Sequence, residues 1–370
     1  MNLLMLSGDK SVIKGERGAF YNTLIELASY WDHIDVITNS SGAESSISIG
    51  DNIDVHNSTY LKYLQPYFIL QKGTHLFVKR PYDLIVSHDY GLFLNGLGAK
   101  LLSAKIGVPF VSEIHHVDGY PRAASIREKI QPWVTKCYVK YVMSHVVGFR
   151  ITNSTELEPL MRSWGVSEEQ ILLLYSLYLD FNVFKPSISE RKYDAIFVGR
   201  MTANKGLDLF LESIAEAVVN KNNMRVLVIG NGPLAVSFRN RINLLGLADN
   251  IECIDWVSNA EELASYYRSS RCLVCTSFSE GGPRVVAEAL ACGVPVITTR
   301  VGLASQIVKH KVNGYIVDWS SEEIAKVLLE IVSNDNLFES MSSQAPKTVE
   351  MYEKERVIKD YVSFYKDLVK

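Results

Sequence analysis

The sequence predicts an α/β protein of two doubly wound, parallel-sheet domains facing each other across a cleft. Three observations carry this. Short apolar runs alternate with helix-period stretches through nearly the whole chain, the pattern of parallel strands joined by crossover helices. The alternation runs twice, the second series starting after Lys185-Pro186-Ser187. A chain of 370 residues also exceeds what one ordinary core holds.

In the first series the apolar runs predict strands at 2–6, 35–38, 53–56, 84–87, 110–114, 145–148 and 171–174, and helical spacing predicts helices near 16–30, 92–104, 126–143 and 154–164. The second series predicts strands at 195–198, 225–229, 251–254, 272–276, 295–298 and 314–317, with helices starting at Gly206, Pro233, Ala260 and Pro283. These give Rossmann-like domains over 1–181 and 182–351. The end of the chain keeps an apolar helical face (Tyr352, Val357, Tyr361, Phe364, Tyr365, Leu368) that must pack somewhere, and a helix over 352–370 returning to the first domain satisfies it.

Composition narrows the function. Hydrophobic residues make up 47% and charged residues 21% of the chain, as in a soluble globular protein. A net charge of −3 argues against a general nucleic-acid binder. No apolar run is long enough to span a bilayer, and Met1-Asn2-Leu3-Leu4 carries no basic leader, so the first apolar run reads as a strand. Cys137, Cys253, Cys272, Cys275 and Cys292 are scattered in apolar contexts, which suits a reduced cytoplasmic protein. Cys272 and Cys275 form a C-x-x-C, but inside a predicted strand positions i and i+3 face opposite ways, so a metal or redox pair is not expected.

The segment from Ser279 to Pro295 says most about chemistry. Glu280 follows a strand and precedes Gly281-Gly282-Pro283, and Glu288 lies two turns into the helix this turn opens. Free amides at a helix start suit phosphate, and two carboxylates suit sugar hydroxyls. Earlier in the same module a strand delivers Gly199 and Arg200 to its carboxyl end, with Lys205-Gly206 at the next helix start. Ligands of open α/β sheets bind there, so the guanidinium and ammonium fall where a diphosphate would sit; ordinary surface cations are the alternative. Gly230-Asn231-Gly232-Pro233 is a further strand-to-helix turn, either a wall of the nucleotide pocket or a plain turn. Gly15 and Gly18 flank the first such turn, where donor phosphates or an acceptor would be met, but no G-x-G-x-x-G is present and a dinucleotide dehydrogenase is disfavoured.

In the first module His88-Asp89 and His115-His116 stand at strand ends. Adjacent strand residues face opposite sides and no H-E-x-x-H accompanies them, so His115 reads as a polar cleft residue touching the transferred sugar, or as a satisfied structural histidine. Between Tyr60 and Arg150 cations far outnumber acids and aromatics interleave with them. Such a surface can lie on an anionic membrane; equally, the aromatics can face the core and the cations water.

Together these motifs resemble those of retaining glycosyltransferases of family 4, with GT-B architecture. The family's Glu-x7-Glu matches Glu280 and Glu288, its Gly-Arg…Lys-Gly matches Gly199, Arg200, Lys205 and Gly206, and its histidine after a Pro-led strand matches His115. The resemblance implies that Arg200 and Lys205 neutralise the donor diphosphate. It implies that Glu280 and the Gly281 and Gly282 amides, opening at Pro283, hold the donor sugar, and that Glu288 holds the ribose. It further implies front-face transfer in which the departing phosphate takes the acceptor's proton. Two departures stand on the acceptor side or hinge: Leu177-Tyr178 replaces an Asn-Gly pair, and Lys14-Gly15-Glu16 replaces a Gly-Gly turn.

The expected activity is transfer of a sugar, with retention, from a nucleoside diphosphate sugar to a hydroxyl of a glycan acceptor, lipid-linked or a cell-surface polysaccharide precursor. No Asp-x-Asp stands at a strand end, so neither an obligatory metal nor another cofactor is expected. A cytoplasmic location with peripheral contact at the inner membrane face accompanies this reading. Its rivals are a nucleotide-sugar epimerase, a phosphorylase, and a non-enzymatic sugar-nucleotide-binding subunit of another transferase.

Overall fold

The computed structural model describes residues 1–16, 18–39 and 45–369. Among them, eight strands form the first sheet: β1 (Asn2–Ser7), β2 (His33–Thr38), β3 (Ser46–Ile49), β4 (Ile53–Asn57), β5 (Leu84–His88), β6 (Phe110–Ile114), β7 (Gly148–Ile151) and β8 (Ile171–Leu173). Their order is β3-β4-β2-β1-β5-β6-β7-β8, parallel except for the β3–β4 hairpin. The helices of this half are α1 (Ala19–Ala28), α2 (Gln65–Lys79), α3 (Leu94–Ile106), α4 (Ile126–Val142) and α5 (Leu157–Ser163).

The second sheet holds β9 (Ala195–Val198), β10 (Val226–Ile229), β11 (Ile251–Ile254), β12 (Leu273–Cys275), β13 (Val296–Thr299) and β14 (Gly314–Val317), all parallel in the order β11-β10-β9-β12-β13-β14. Around it lie α6 (Leu207–Asn220), α7 (Ala235–Leu244), α8 (Ala260–Arg268), α9 (Arg284–Ala291), α10 (Ala304–Ile307), α11 (Ser321–Ser333) and α12 (Asp335–Gln344), and α13 (Lys354–Asp367) ends the chain. Each sheet is covered on both faces by apolar clusters, the doubly wound arrangement expected. Cys272 packs in one cluster of the second sheet and Cys275 in the other, so the strand does separate them.

The last helix returns to the first sheet. Ile358, Tyr361, Val362 and Tyr365 of α13 pack with Leu3 and Met5 of β1, which covers the orphan apolar face. The chain crosses between the halves twice, and the crossings pair: Leu179 N–H donates to Tyr352 O at 2.7 Å and Lys354 N–H to Leu179 O at 3.0 Å.

Three expectations need correction. The seventh strand runs Gly148–Ile151 rather than 145–148. Arg150 in its middle is buried there because Glu113 on β6 neutralises it. The hairpin strand β3 and the helices α2, α10, α11 and α12 were not anticipated; β3 and α10 are too short to show a period, whereas α11 does carry one, with Ile324, Val327, Leu328 and Ile331 on its buried face. Glu288 stands about one turn into α9, not two, because Pro283 is the N-cap and the helix opens at Arg284.

Candidate active site

In both sheets the order reverses beside the first strand of the series, β1 and β9, and open α/β sheets bind ligands at such points beyond the strand carboxyl ends. In the second sheet three loops are stitched together there. Gly199 follows β9, and a Cβ on Gly230 would meet its carbonyl oxygen at 1.9 Å, so only glycine lets the turn after β10 lie against it. Met201 N–H donates to Asn231 O at 2.9 Å, continuing that contact. On the other side Phe278 N–H donates to Asn204 O at 2.7 Å, and Thr276 Oγ1 to Lys205 O at 2.9 Å. Gly206 has φ 63°, and its Cα presses on Thr276 O, where a Cβ would come within 2.1 Å.

This stitching brings Lys205 to Glu280. The ammonium pairs with Glu280 Oε1, which also accepts from Ser277 Oγ at 3.1 Å, and both side chains are largely buried. Arg200 lies exposed on the adjacent loop, and its side chain makes no hydrogen bond or ion pair among the described residues. Glu288 is buried at 6% exposure. Its oxygens accept from Tyr267 OH and Arg284 Nε, both at 3.0 Å. Burial raises its pKa despite the nearby guanidinium.

The first domain contributes a cavity of about 560 Å³ over the carboxyl ends of β1, β5, β6 and β7, roofed by α1 and α13. Ser7, Asp9, His88, Asp89, His115 and His116 supply polar groups; Phe20, Tyr90 and Ile358 are among the apolar ones. Beneath it Glu113 gathers five side chains. Its Oε2 lies 3.0 Å from His88 Nε2, 3.1 Å from His115 Nε2 and 3.0 Å from Arg150 Nη1. Its Oε1 accepts from Tyr361 OH at 2.9 Å and Tyr365 OH at 2.6 Å, both on α13. Burial alone would raise the Glu113 pKa, but Arg150 and His88, with the His115 hydrogen bond, hold it well below the usual range. Burial pushes His115 down, and Arg150 adds to this. Its Nε2 edge is thus held from beneath, while its Nδ1 makes no hydrogen bond among the described residues. His116 differs: burial would lower it, yet Asp118 at 2.8 Å and the charge of Glu280 raise it.

The two halves meet where these groups converge. Gly281 O accepts from Asn153 Nδ2 at 3.2 Å, and a Cβ on Gly281 would lie 2.2 Å from His115 O. The Lys205–Glu280 pair, the Gly281 turn and His115-His116 therefore share one wall of the cleft. Of the residues singled out from sequence, Gly199, Lys205, Gly230, Glu280, Gly281, Gly282 and His115 come together at this wall or directly behind it. Gly282 and Pro283 continue it into α9, and Leu303 Cβ would sit 3.3 Å from a Cβ on Gly282. Gly15 does not join them: it caps a short 3-10 turn at φ 73°, exposed, and a Cβ there would meet nothing within 4 Å among the described residues. Its neighbour Arg17 lies outside the described residues.

Glu113, Arg150 and the α13 tyrosines were missed. The available signal was a charged residue inside each of two apolar strands, Phe110–Ile114 and Gly148–Ile151, since buried charges come paired. The other ligand-type cluster among the described residues, His33, Asp35 and Asp54, starts at the opposite strand ends and is not part of this site.

Comparison with known proteins agrees with this architecture. Residues 180–348 match the family model described as Glycosyl transferases group 1. The chain is 24% identical over 326 residues to an uncharacterized glycosyltransferase of Methanocaldococcus jannaschii, covering 86% of each. It is 25% identical over 304 residues to a D-inositol 3-phosphate glycosyltransferase of Rhodococcus opacus, covering 77% of this chain and 67% of that one. Among solved structures, a sucrose-phosphate synthase from Thermosynechococcus elongatus superposes with a TM-score of 0.80 at 18% identity, covering 99% of this chain and 98% of the other. Anabaena HepE, in complex with UDP and glucose, superposes with a TM-score of 0.75 at 18% identity, covering 99% and 100%. The solved structures show the GT-B fold over nearly the whole chain, and the sequence matches, all to glycosyltransferases, support that activity. The match to the group 1 model falls on the second half, the one that carries Lys205 and Glu280. Among the described residues no helix is long and apolar enough to cross a membrane.

Proposed function

We propose that this protein is a retaining, family 4-type glycosyltransferase that moves a sugar from a nucleoside diphosphate sugar to a hydroxyl of a glycan acceptor. The observation that carries the reading is the Lys205–Glu280 pair on a loop whose next residue, Gly281, abuts His115 of the other domain. Departure of the diphosphate builds negative charge, which Lys205 and the exposed Arg200 would meet without an obligatory metal. Binding a diphosphate there would draw Lys205 from Glu280, freeing that carboxylate for sugar hydroxyls. The Gly281 and Gly282 amides would hold the sugar, and His115 would face it from the acceptor side. Glu288 would reach the ribose only by exchanging its bonds to Tyr267 and Arg284. Anabaena HepE, which holds UDP and glucose, supports a nucleotide-sugar donor by likeness of fold. The cavity, with its mixture of carboxylates, histidines and aromatic rings, suits a glycan hydroxyl. A lipid-linked or surface-polysaccharide acceptor at the inner membrane face completes the proposal.

A thermal-shift panel of nucleoside diphosphates and nucleotide sugars identifies the donor, since binding raises the melting temperature. With that donor, Lys205→Ala or Arg200→Ala is expected to lower turnover roughly 100-fold to 1000-fold. Wild-type rates in both variants would remove the diphosphate clamp. Formation of a new sugar nucleotide from donor alone would replace transfer by epimerisation.

A further inference from the structure

We propose that the outer face of α2, α3 and α4 is a docking surface for an anionic lipid bilayer, and that it seats the cavity mouth against the membrane. On α4 the positions 126, 130, 133, 137 and 141 form one helical stripe. The opposite face buries Tyr138, Val139 and Val142 in the core, so the stripe is not the core face. It points outward instead: Ile126 is 79% exposed, Ile130 54% and Trp133 67%. The approach to α2 repeats the pattern with Leu61 at 77% and Tyr63 at 72%. Apolar side chains scattered singly on a surface are ordinary; a set of this size on neighbouring elements is not.

These helices lie side by side. A Cβ on Gly98 of α3 would strike Ile69 of α2 at 2.7 Å, and Lys100 of α3 sits 3.4 Å over the Tyr141 ring of α4. Crossover helices run opposite to their strands, so their amino ends stand at the strand carboxyl ends, the cleft edge. Leu61, Tyr63, Ile126 and Ile130 gather at that end. Half-exposed Tyr90 lines the cavity, and exposed Leu92 follows two residues on. Gln131 of α4 bonds the Gly91 carbonyl between them, joining the face to the cavity mouth.

Charge selects the occupant. Lys62, Arg127, Lys129 and Lys140 are exposed among the apolar positions. The sequences of α2, α3 and α4 contain a single acid, Glu128, which is turned back to accept from Ala124 N–H at 2.7 Å. Cations flanking aliphatic and aromatic side chains match anionic headgroups over an acyl boundary. A protein partner would need an acidic counter-surface that nothing in this chain's face specifies.

The orientation, though not the surface itself, rests on reading the cavity as the acceptor site. The test is sedimentation of the full chain with vesicles of phosphatidylcholine alone or mixed with phosphatidylglycerol. Binding is expected to favour the anionic vesicles by about tenfold or more and to weaken as salt rises. Ile130→Asp combined with Trp133→Asp should abolish it while leaving melting temperature and the donor-induced thermal shift unchanged, because both positions are outside the core. Equal binding to neutral vesicles, or undiminished binding by the variant, overturns the proposal. A wild-type dimer that the variant dissolves also overturns it, assigning the face to a second copy. Loss of the donor shift in the wild type, with vesicle binding intact, would sink the transferase reading and leave the surface standing.

Discussion

Gly281→Ala isolates the contact between domains from the stability of either one. A Cβ there would sit 2.2 Å from the His115 carbonyl oxygen and 3.0 Å from its carbon, both backbone atoms that cannot swing aside. Ordinary contact needs about 3.5 Å, so the halves must part by at least about 1 Å. Gly281 is not among the residues with positive φ, so alanine should not strain its own turn. The cost therefore falls on closure. A misplacement near 1 Å at reacting groups costs on the order of 100-fold in rate. Gly282→Ala is the control: its Cβ would meet only Leu303 Cβ, at 3.3 Å, a neighbour that needs to yield a few tenths of an ångström. Steady-state turnover with the identified donor should fall about 100-fold in Gly281→Ala and within about threefold in Gly282→Ala, with both melting temperatures near wild type. Wild-type turnover by Gly281→Ala would refute the idea that this contact forms the working cleft.

Glu113→Gln keeps the shape but removes the charge facing buried Arg150, and an uncompensated buried charge costs about 3–5 kcal/mol. Chemical denaturation at neutral pH should show a loss of that order; a change below about 1 kcal/mol would mean that the pair is not the anchor of this cluster. Glu156, beside the Gly302 contact between the halves, has its pKa raised by burial from 4.5 to about 7. Its folded value exceeds its unfolded one, so the stability it contributes is complete below pH 4.5 and is lost as pH rises through about 7. Glu156→Gln should therefore be the more stable protein at pH 8, by on the order of 1–2 kcal/mol after its partial exposure is allowed for, and equal near pH 4. Identical slopes of stability against pH in the two proteins would count against this.

Much of the second-domain wall was legible because its residues are local. Gly199-Arg200 and Lys205-Gly206 lie on one strand-to-helix turn, and strand-to-helix turns in such a sheet meet at one edge. The pairing of Lys205 with Glu280 spans 75 positions, and nothing in either stretch names the other. The first-domain cluster was less legible because its contacts are distant in sequence. Beyond neighbouring His115, Glu113 draws partners from β5, β7 and α13, three distant pieces of chain, and its only local trace is a carboxylate between Ser112 and Ile114. The aromatic face of α4 was ambiguous because apolar residues occur on both sides of that helix, Tyr138 and Val142 inward, Ile130 and Trp133 outward. Periodicity cannot choose between two apolar faces; packing against the sheet does.

The placement of α13 follows from the same group. A helix that ends the chain after the second domain could pack on that domain with no crossing, yet Tyr361 and Tyr365 spend their hydroxyls on Glu113, which Arg150 and His88 already hold ionised. A buried carboxylate needs most of its lone pairs satisfied, and β6 alone supplies too few donors. The tyrosines complete that shell, and Tyr361 with Val357 and Ile358 at once roofs the cavity. The return requires a second crossing, and its backbone is tied to the first at Leu179 and Glu353. Two crossings bonded side by side leave the domains one line about which to turn. A rotation about that line that opened the Gly281–His115 contact would not cross the Glu113 cluster, because its members all sit on the first-domain side. The support beneath His115 is thus built wholly on the first-domain side of those crossings.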